Sequence, residues 1–431
     1  MKNLLRSILY NRILKHFSIY TAANFLNQAI SLMLLPILTR YLSPSDYGVW
    51  ATFSAIVGVG NILVAAETTS AVVRAYFDKD KSEFDFPQYN YNALLLNLVF
   101  FAVILIAICL ALPMIRASSC IPIGWIFAVP VIGICTALYN IPTRLFVYRK
   151  KPVAYSSMKI ADTSLEIALS LVFVVVMGMG WQGRASGLLW NNLLLLPVAL
   201  YLLTRGEMLR FSVNFSYMKN ILNYSLPVVI LNLGFTAGLA IDRFFLNRFV
   251  GLSATGIYSV AYSVSSIVLF FVNAFSLAWT PFLFERLNRI DHAMKIKLVR
   301  FAYMFFAAIM AVSLLIPVMA PLLLKIFVGK DYYGAVRYML LLSMSWGFYG
   351  MYFIVSGYIF YEKKTYALSV ISIFVLLLNT LLDYALISAN GALGAAQAGF
   401  ICSFARFAVT WFWCNKIYPM PWFSCGRRAC A

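Results

Sequence analysis

The chain has 431 residues, 62% of them hydrophobic and only 11% charged, and it carries a formal net charge of +19. Apolar stretches of about 18 residues or more recur from end to end, too many for one water-soluble core to hide. A soluble enzyme or a soluble nucleic-acid binder is thereby excluded, and an all-α polytopic membrane protein is expected.

Apolar runs between charged or Pro/Gly punctuation predict about twelve transmembrane helices. The first six are centred on Gln28, Gly58, Val99, Val131, Leu169 and Leu194, and the second six on Ile230, Ser266, Ile309, Gly347, Phe374 and Arg406. The connections left over are too short for an extramembrane domain. The first apolar segment follows a basic N-terminus, lacks an evident small-residue cleavage site, and reads as a retained signal anchor.

Within this series one block is written twice, about 208 positions apart. Arg40, Ser45, Gly48 and Trp50 of the run Leu38-Thr39-Arg40-Tyr41-Leu42 to Trp50 align without a gap on Arg248, Ser253, Gly256 and Tyr258. A fainter echo pairs Gly180 and Gly183 with Gly391 and Gly394. Six spans per repeat is an even number, so both repeats enter the bilayer from the same side. The expected architecture is two six-helix lobes, residues 1–210 and 211–431, related by a pseudo-twofold along the membrane normal, with a substrate site between them.

Orientation follows from the cations. With the N-terminus in the cytoplasm, 24 of the 34 Lys and Arg fall at cytoplasmic ends and 8 on the other side, among them Arg40, Arg184, Arg243 and Arg248, leaving Lys159 and Arg406 within spans. This positive-inside bias predicts that both termini are cytoplasmic. It also accounts for the basic balance through anionic lipid headgroups, with no nucleic acid required.

Metal and cofactor chemistry find no foothold. Cys109, Cys135, Cys402 and Cys414 sit in apolar stretches, Cys120 at a span end, and Cys425 and Cys430 in the C-terminal tail, with no metal-ligand spacing among them. His16 and His292 lie in separate basic segments, so no metal or other cofactor is expected.

Charges inside spans are expensive, about 2.5 to 3.5 kcal/mol near a helix centre, and so mark cavities or partners. Lys159, Asp162 and Glu166 follow one another at i, i+3 and i+7 on the fifth span, with Glu166 roughly 20 Å along the helix and no cation of its own at equal depth. Glu67 and Arg74, seven apart, share a face of the second span toward its cytoplasmic end. Asp383 on the eleventh span and Arg406 on the twelfth read either as site residues or as an interhelical bridge; Lys159 with Asp162 equally reads as a self-neutralised pair. Asp46 and the serines around it read as helix caps for the second span, and Arg74 as a headgroup anchor. Polar and aromatic stripes at Asn24, Gln28 and Ser31, and at Tyr258, Tyr262 and Ser265, suit a glycan path, though such residues also bind membrane helices to each other.

The run Asn24-Phe25-Leu26-Asn27-Gln28, with Leu34-Leu35-Pro36 leading into Arg40-Tyr41-Leu42-Ser43-Pro44-Ser45-Asp46-Tyr47-Gly48, resembles the opening of the polysaccharide-transporter branch of the multidrug/oligosaccharidyl-lipid/polysaccharide exporter superfamily. The resemblance of layout extends over the whole chain, while the motif is concentrated in the first 50 residues. It implies a pair of helix bundles in the bacterial inner membrane that alternate access for an undecaprenyl-pyrophosphate-linked oligosaccharide, such as an O-antigen repeat unit. Partners would be that glycolipid, membrane lipids and other polysaccharide-assembly proteins. On this reading Arg40, Arg248, Lys159, Arg406, Asn24, Gln28, Tyr258 and Tyr262 are candidate substrate contacts, and Glu67, Asp162, Glu166 and Asp383 candidate ion-coupling groups. The protein would be no enzyme. The alternatives are a multidrug/cation antiporter of the same superfamily and a polytopic polysaccharide polymerase or ligase; the latter would need acids or arginines on substantial outer loops, which are short here.

Overall fold

The computed structural model describes residues 25–30, 32–78, 84–114, 120–205, 209–287, 292–362 and 364–422. Among them there is no strand, and every predicted span centre except Ser266 lies inside a helix. The first span is helical at 25–30 and 32–41. Those that follow begin with Pro44–Ala65, Phe86–Leu110, Ile123–Tyr148, Pro152–Leu171 and Gly180–Arg205. Phe215–Phe249, Leu252–Ser265, His292–Phe327, Val336–Tyr361, Tyr366–Asn390 and Ala392–Ile417 complete the series.

Ten described stretches are long and apolar enough to cross a membrane. The fifth helix is not one of them, because Lys159, Asp162 and Glu166 dilute its hydropathy. Such a helix is held in a bilayer by neighbours that cover its polar face.

Two spans are broken where the sequence suggested continuous helices. The second ends at Ala65 and resumes as Thr68–Ala75, with Ala66 and Glu67 at φ 43° and 52° in the left-handed region. Neither is Gly, so each costs on the order of 1–3 kcal/mol unless local bonding compensates. Glu67 supplies that bonding, as described below. The expectation that Glu67 and Arg74 share one face of an unbroken helix is therefore wrong. The eighth span breaks after Ser265 and resumes as Val268–Leu287, which puts Ser266 in the gap.

The chain divides into two compact units. One holds residues through Leu42 and from Val49 to Thr236; the other holds Ser43–Gly48 and everything from Ala237 onward. In the first, Val72, Ala93, Ile141, Leu145, Leu203 and Ile221 are completely enclosed. Asp85 caps its third span by accepting from the Gln88 amide at 3.0 Å, and Arg210 pairs with the same carboxylate at 2.7 Å. In the second, aromatic packing dominates. Residues 418–422 fold back so that Tyr303 donates to the Trp422 carbonyl at 2.9 Å and Lys295 to that of Pro419 at 3.2 Å, burying the Trp422 ring against Tyr303, Tyr358 and Trp411.

The sequence duplication has a structural counterpart in the fifth–sixth and eleventh–twelfth hairpins. Gly180 and Gly391 take φ 56° and 60°, a conformation only glycine adopts cheaply, at the turn into the sixth and twelfth helices. Three residues on, Gly183 and Gly394 pack directly on the carbonyls of Phe173 and Leu386. One turn chemistry thus closes both hairpins.

Candidate functional site

Polar groups of the first unit are joined in three local networks. On the fifth span, Lys159 Nζ stands 3.6 Å from Asp162, whose Oδ1 also accepts from the Asn191 amide at 2.8 Å. One to two turns further along, Arg184 of the sixth span donates to Glu166 Oε1 and to Ser170 Oγ, both at 2.6 Å, and its guanidinium lies 4.7 Å above the Trp50 ring. Glu166 therefore has a cation at its own depth, contrary to expectation. Arg184 stands in the second turn of the sixth helix, which begins at Gly180. Just beyond Ser170 the helix widens into a π turn, Val172–Val176. The third network sits at the break of the second span, where Glu67 accepts from Asn232 Nδ2 at 2.7 Å and from Ser70 Oγ at 3.0 Å.

The second unit assembles a different kind of cluster. Asp383 on the eleventh span is completely buried, and neither carboxylate oxygen receives a hydrogen bond from the described residues. Its charged neighbours are Asp242 and Arg243, at adjacent positions on the seventh span. Asp242 and Arg243 are themselves 5% exposed and 3.5 Å apart, and Asp242 Oδ1 also lacks a donor. The two helices meet at Gly238, where an added Cβ would lie 3.0 Å from Asn379 Oδ1. One turn on from that contact, Gly238 leads to Asp242 and Asn379 to Asp383, so the i, i+4 spacing on both helices stacks two carboxylates and an amide together. Facing carboxylates in a low-dielectric interior need a shared proton or a bound cation to remain side by side.

Around this acid pair runs a chain of rings and guanidiniums. Arg243 lies 5.6 Å from the ring centre of Tyr258 and 4.8 Å from that of Tyr262. Tyr262 contacts Trp346 at 5.2 Å, Trp346 contacts Tyr349 at 5.7 Å, and Tyr349 contacts Tyr352 at 5.7 Å. Arg406 closes the chain, 5.8 Å from the Tyr352 ring and donating to Ser372 Oγ at 3.3 Å. Two buried cations are thus separated by aromatic faces, each of which attracts a guanidinium. The expected alternative of an Asp383–Arg406 hydrogen-bonded bridge is not what forms.

The sequence candidates therefore separate. Tyr258, Tyr262, Asp383 and Arg406 come together in the second unit; Lys159, Asp162 and Glu166 come together in the first, and Glu67 stands apart from them at the helix break. Arg40 and Arg248 are exposed at their corners, Gln28 is half-buried, and Asn24 lies outside the described residues. Arg74 is exposed and stacks 4.7 Å over Tyr224, as an interfacial anchor would. At the first corner, Ser43, one of the serines beside Asp46, is the cap: its Oγ accepts from the Asp46 amide at 3.1 Å and donates to the Asp46 carboxylate at 2.7 Å. Asp242 and Arg243 were missed as site residues because a span centred on Ile230 leaves them at its outer end; the real helix continues to Phe249. Among the described residues no three His, Cys, Asp or Glu groups converge as metal ligands.

Comparisons with known proteins agree with this architecture. Residues 227–385 match the MatE family. The chain is 21% identical over 371 residues to an uncharacterized membrane protein of Haemophilus influenzae, covering 84% of this chain and 87% of that one. Its fold is similar to that of a multidrug resistance MATE family transporter in an inward-facing conformation, with a TM-score of 0.73 at 16% identity over 90% of this chain and 94% of the other. A Vibrio cholerae MATE transporter superposes with a TM-score of 0.65 at 13% identity over 95% and 97% of the two chains. Residues 13–286, well over half of the chain, match the polysaccharide biosynthesis protein family. The protein accordingly belongs to that family, within the multidrug/oligosaccharidyl-lipid/polysaccharide exporter superfamily.

Proposed function

We propose that the protein is a flippase that carries an undecaprenyl-pyrophosphate-linked oligosaccharide, an O-antigen or similar repeat unit, from the cytoplasmic to the periplasmic leaflet of the bacterial inner membrane. It does so by alternating access, with both termini cytoplasmic and with lobes formed by residues 1–210 and 211–431. The observation that carries this reading is the pair of buried guanidiniums, Arg243 and Arg406, strung along tyrosine and tryptophan rings. A guanidinium fork matches phosphate oxygens, and aromatic faces match the apolar faces of sugars. A pyrophosphate diester carries about two negative charges, and moving each outward across an inside-negative membrane releases roughly 2.3 kcal/mol per 100 mV. The protein then has to supply a polar corridor while the polyprenyl tail stays in lipid.

Asp242 and Asp383 are the groups best suited to take up a proton, or with the Asn379 amide oxygen a monovalent cation, and so to couple an ion to the cycle. The same acid pair favours a second reading, a multidrug/cation antiporter, in which the carboxylates hold a cationic drug or its exchange ion; the MatE match over residues 227–385 supports it. Deleting the gene separates the two. A flippase defect removes the surface polysaccharide while lipid-linked repeat units accumulate where an impermeant sugar-modifying reagent, added to spheroplasts, does not reach them. Reagent-accessible glycolipid would refute the flippase reading, and an unchanged polysaccharide with raised drug sensitivity would establish the antiporter.

A further inference from the structure

The repeat gives the first unit a ring of its own at the position of Tyr258: Trp50, 208 residues earlier. Each of these two rings meets a guanidinium, Arg243 at 5.6 Å from the centre of Tyr258 and Arg184 at 4.7 Å from that of Trp50. Trp50 does not stand alone. Trp125, in the first turn of the fourth span, and Trp181, in the first turn of the sixth, join it around Phe53, which is wholly buried. The ring centres of Trp50, Trp125 and Trp181 lie 6.1, 5.8 and 6.4 Å from that of Phe53. Trp125 and Trp181 are themselves 5.8 Å apart and inclined at 57°. All of these residues belong to the first unit. Tryptophans that only mark a membrane interface point outward to headgroups around the rim of a bundle. These three instead converge from three spans on one enclosed ring, and each stays half-buried. None of their indole N–H groups donates to a described residue, and none is enclosed without a partner as those of Trp279 and Trp422 are.

We infer that Trp50, Trp125 and Trp181 form a sugar-stacking site, which takes a neutral pyranose ring of the transported oligosaccharide. The inference rests on the flippase reading for why a sugar arrives there, and on the cation distribution for placing these span ends on the outer side. The apolar C–H face of a pyranose packs on an indole face, and its hydroxyl oxygens accept from an indole N–H that still lacks a partner. Charge decides which part of the cargo fits. Arg184, the cation at this cluster, already donates to Glu166 and to Ser170, both at 2.6 Å, so its charge is matched within the first unit. A pyrophosphate would have to compete with Glu166 for it, whereas a neutral sugar needs no cation and gains from the rings alone. Three large rings with open N–H groups are also more than an apolar plug requires, since Leu or Phe would fill the same space without a polar edge to satisfy.

Two measurements test the site, one of them independent of transport. The nine tryptophans can be replaced by 5-fluorotryptophan and their fluorine NMR signals assigned through single Trp→Phe variants, with the full chain in lipid nanodiscs. The host's repeat-unit oligosaccharide, freed from its lipid by mild acid, should shift the Trp50, Trp125 and Trp181 signals saturably, and undecaprenyl pyrophosphate bearing no sugar should leave them in place. Signals that ignore the sugar, or that follow the bare lipid instead, would overturn the inference whatever the cargo proves to be. In liposomes, Trp50→Leu with Trp125→Leu should slow flipping of the lipid-linked oligosaccharide at least tenfold more than that of the sugar-free lipid, the latter read with an externally added phosphatase. An equal loss on the two lipids would show an apolar seal in place of a sugar site. Sugar-induced shifts in a protein that flips neither lipid would retain the site and refute the flippase.

Discussion

In the first unit the acids within spans are already matched: Asp162 with Lys159 and Asn191, Glu166 with Arg184, Glu67 with Asn232 and Ser70. In the second, Asp383 and one oxygen of Asp242 are buried without a donor among the described residues. A matched set stabilises one arrangement; an unmatched set keeps free energy in reserve for whatever binds. On the proposed function, the first unit's networks would serve as scaffold and the second's would respond to substrate and ion.

The sharpest way to break this contrast is Asp383→Asn. Removing one of two facing carboxylates relieves a buried like-charge contact, so the thermal midpoint in detergent should hold or rise, while transport falls on the order of 100-fold. Ordinary transport by Asp383→Asn would place the responsive chemistry elsewhere. Next comes Arg406. Arg406→Ala should reduce export roughly tenfold or more at normal protein levels, with Arg406→Lys retaining part of it because a point charge remains. Because Asp383 accepts no hydrogen bond from the described residues, the double change Arg406→Leu with Asp383→Leu should not restore export; a full rescue would mean the two form a structural bridge after all.

The smallest expected effect on transport lies in the first unit. Glu166→Gln strands Arg184 and should lower stability by about 2 kcal/mol, a value reduced from that of a fully buried pair because both side chains remain partly exposed. Adding Arg184→Gln should recover most of that loss. Transport per folded molecule should change less than about twofold, since the pair is scaffold. A transport defect with unchanged unfolding would move Glu166 into the working site and erase the contrast between units.

Much of this was legible in the sequence, for identifiable reasons. Twelve apolar stretches announce themselves because a bilayer demands continuous hydrophobic length, and Arg40/Arg248 and Gly48/Gly256 expose the duplication because they recur at one fixed spacing. Tyr258, Tyr262, Asp383 and Arg406 stood out through the cost of polar groups at depth. What escaped was depth itself. Span centres cannot reveal that the seventh helix runs to Phe249, so Asp242 and Arg243 looked peripheral, and the early start of the sixth hid Arg184 from Glu166. The break at Ala66 and Glu67 was also invisible, having no Gly or Pro to signal it; its bonding comes from Asn232, which is 165 positions away.

The most direct measurement is transport by the purified protein in liposomes holding an undecaprenyl-pyrophosphate oligosaccharide, with leaflet location read by an impermeant sugar-modifying reagent. The wild type should bring the glycolipid to the reagent-accessible leaflet, whereas Arg406→Ala and Asp383→Asn should leave it where it began. Wild-type protein that exchanges a cationic dye for protons or Na⁺ and leaves the glycolipid in place would contradict the account.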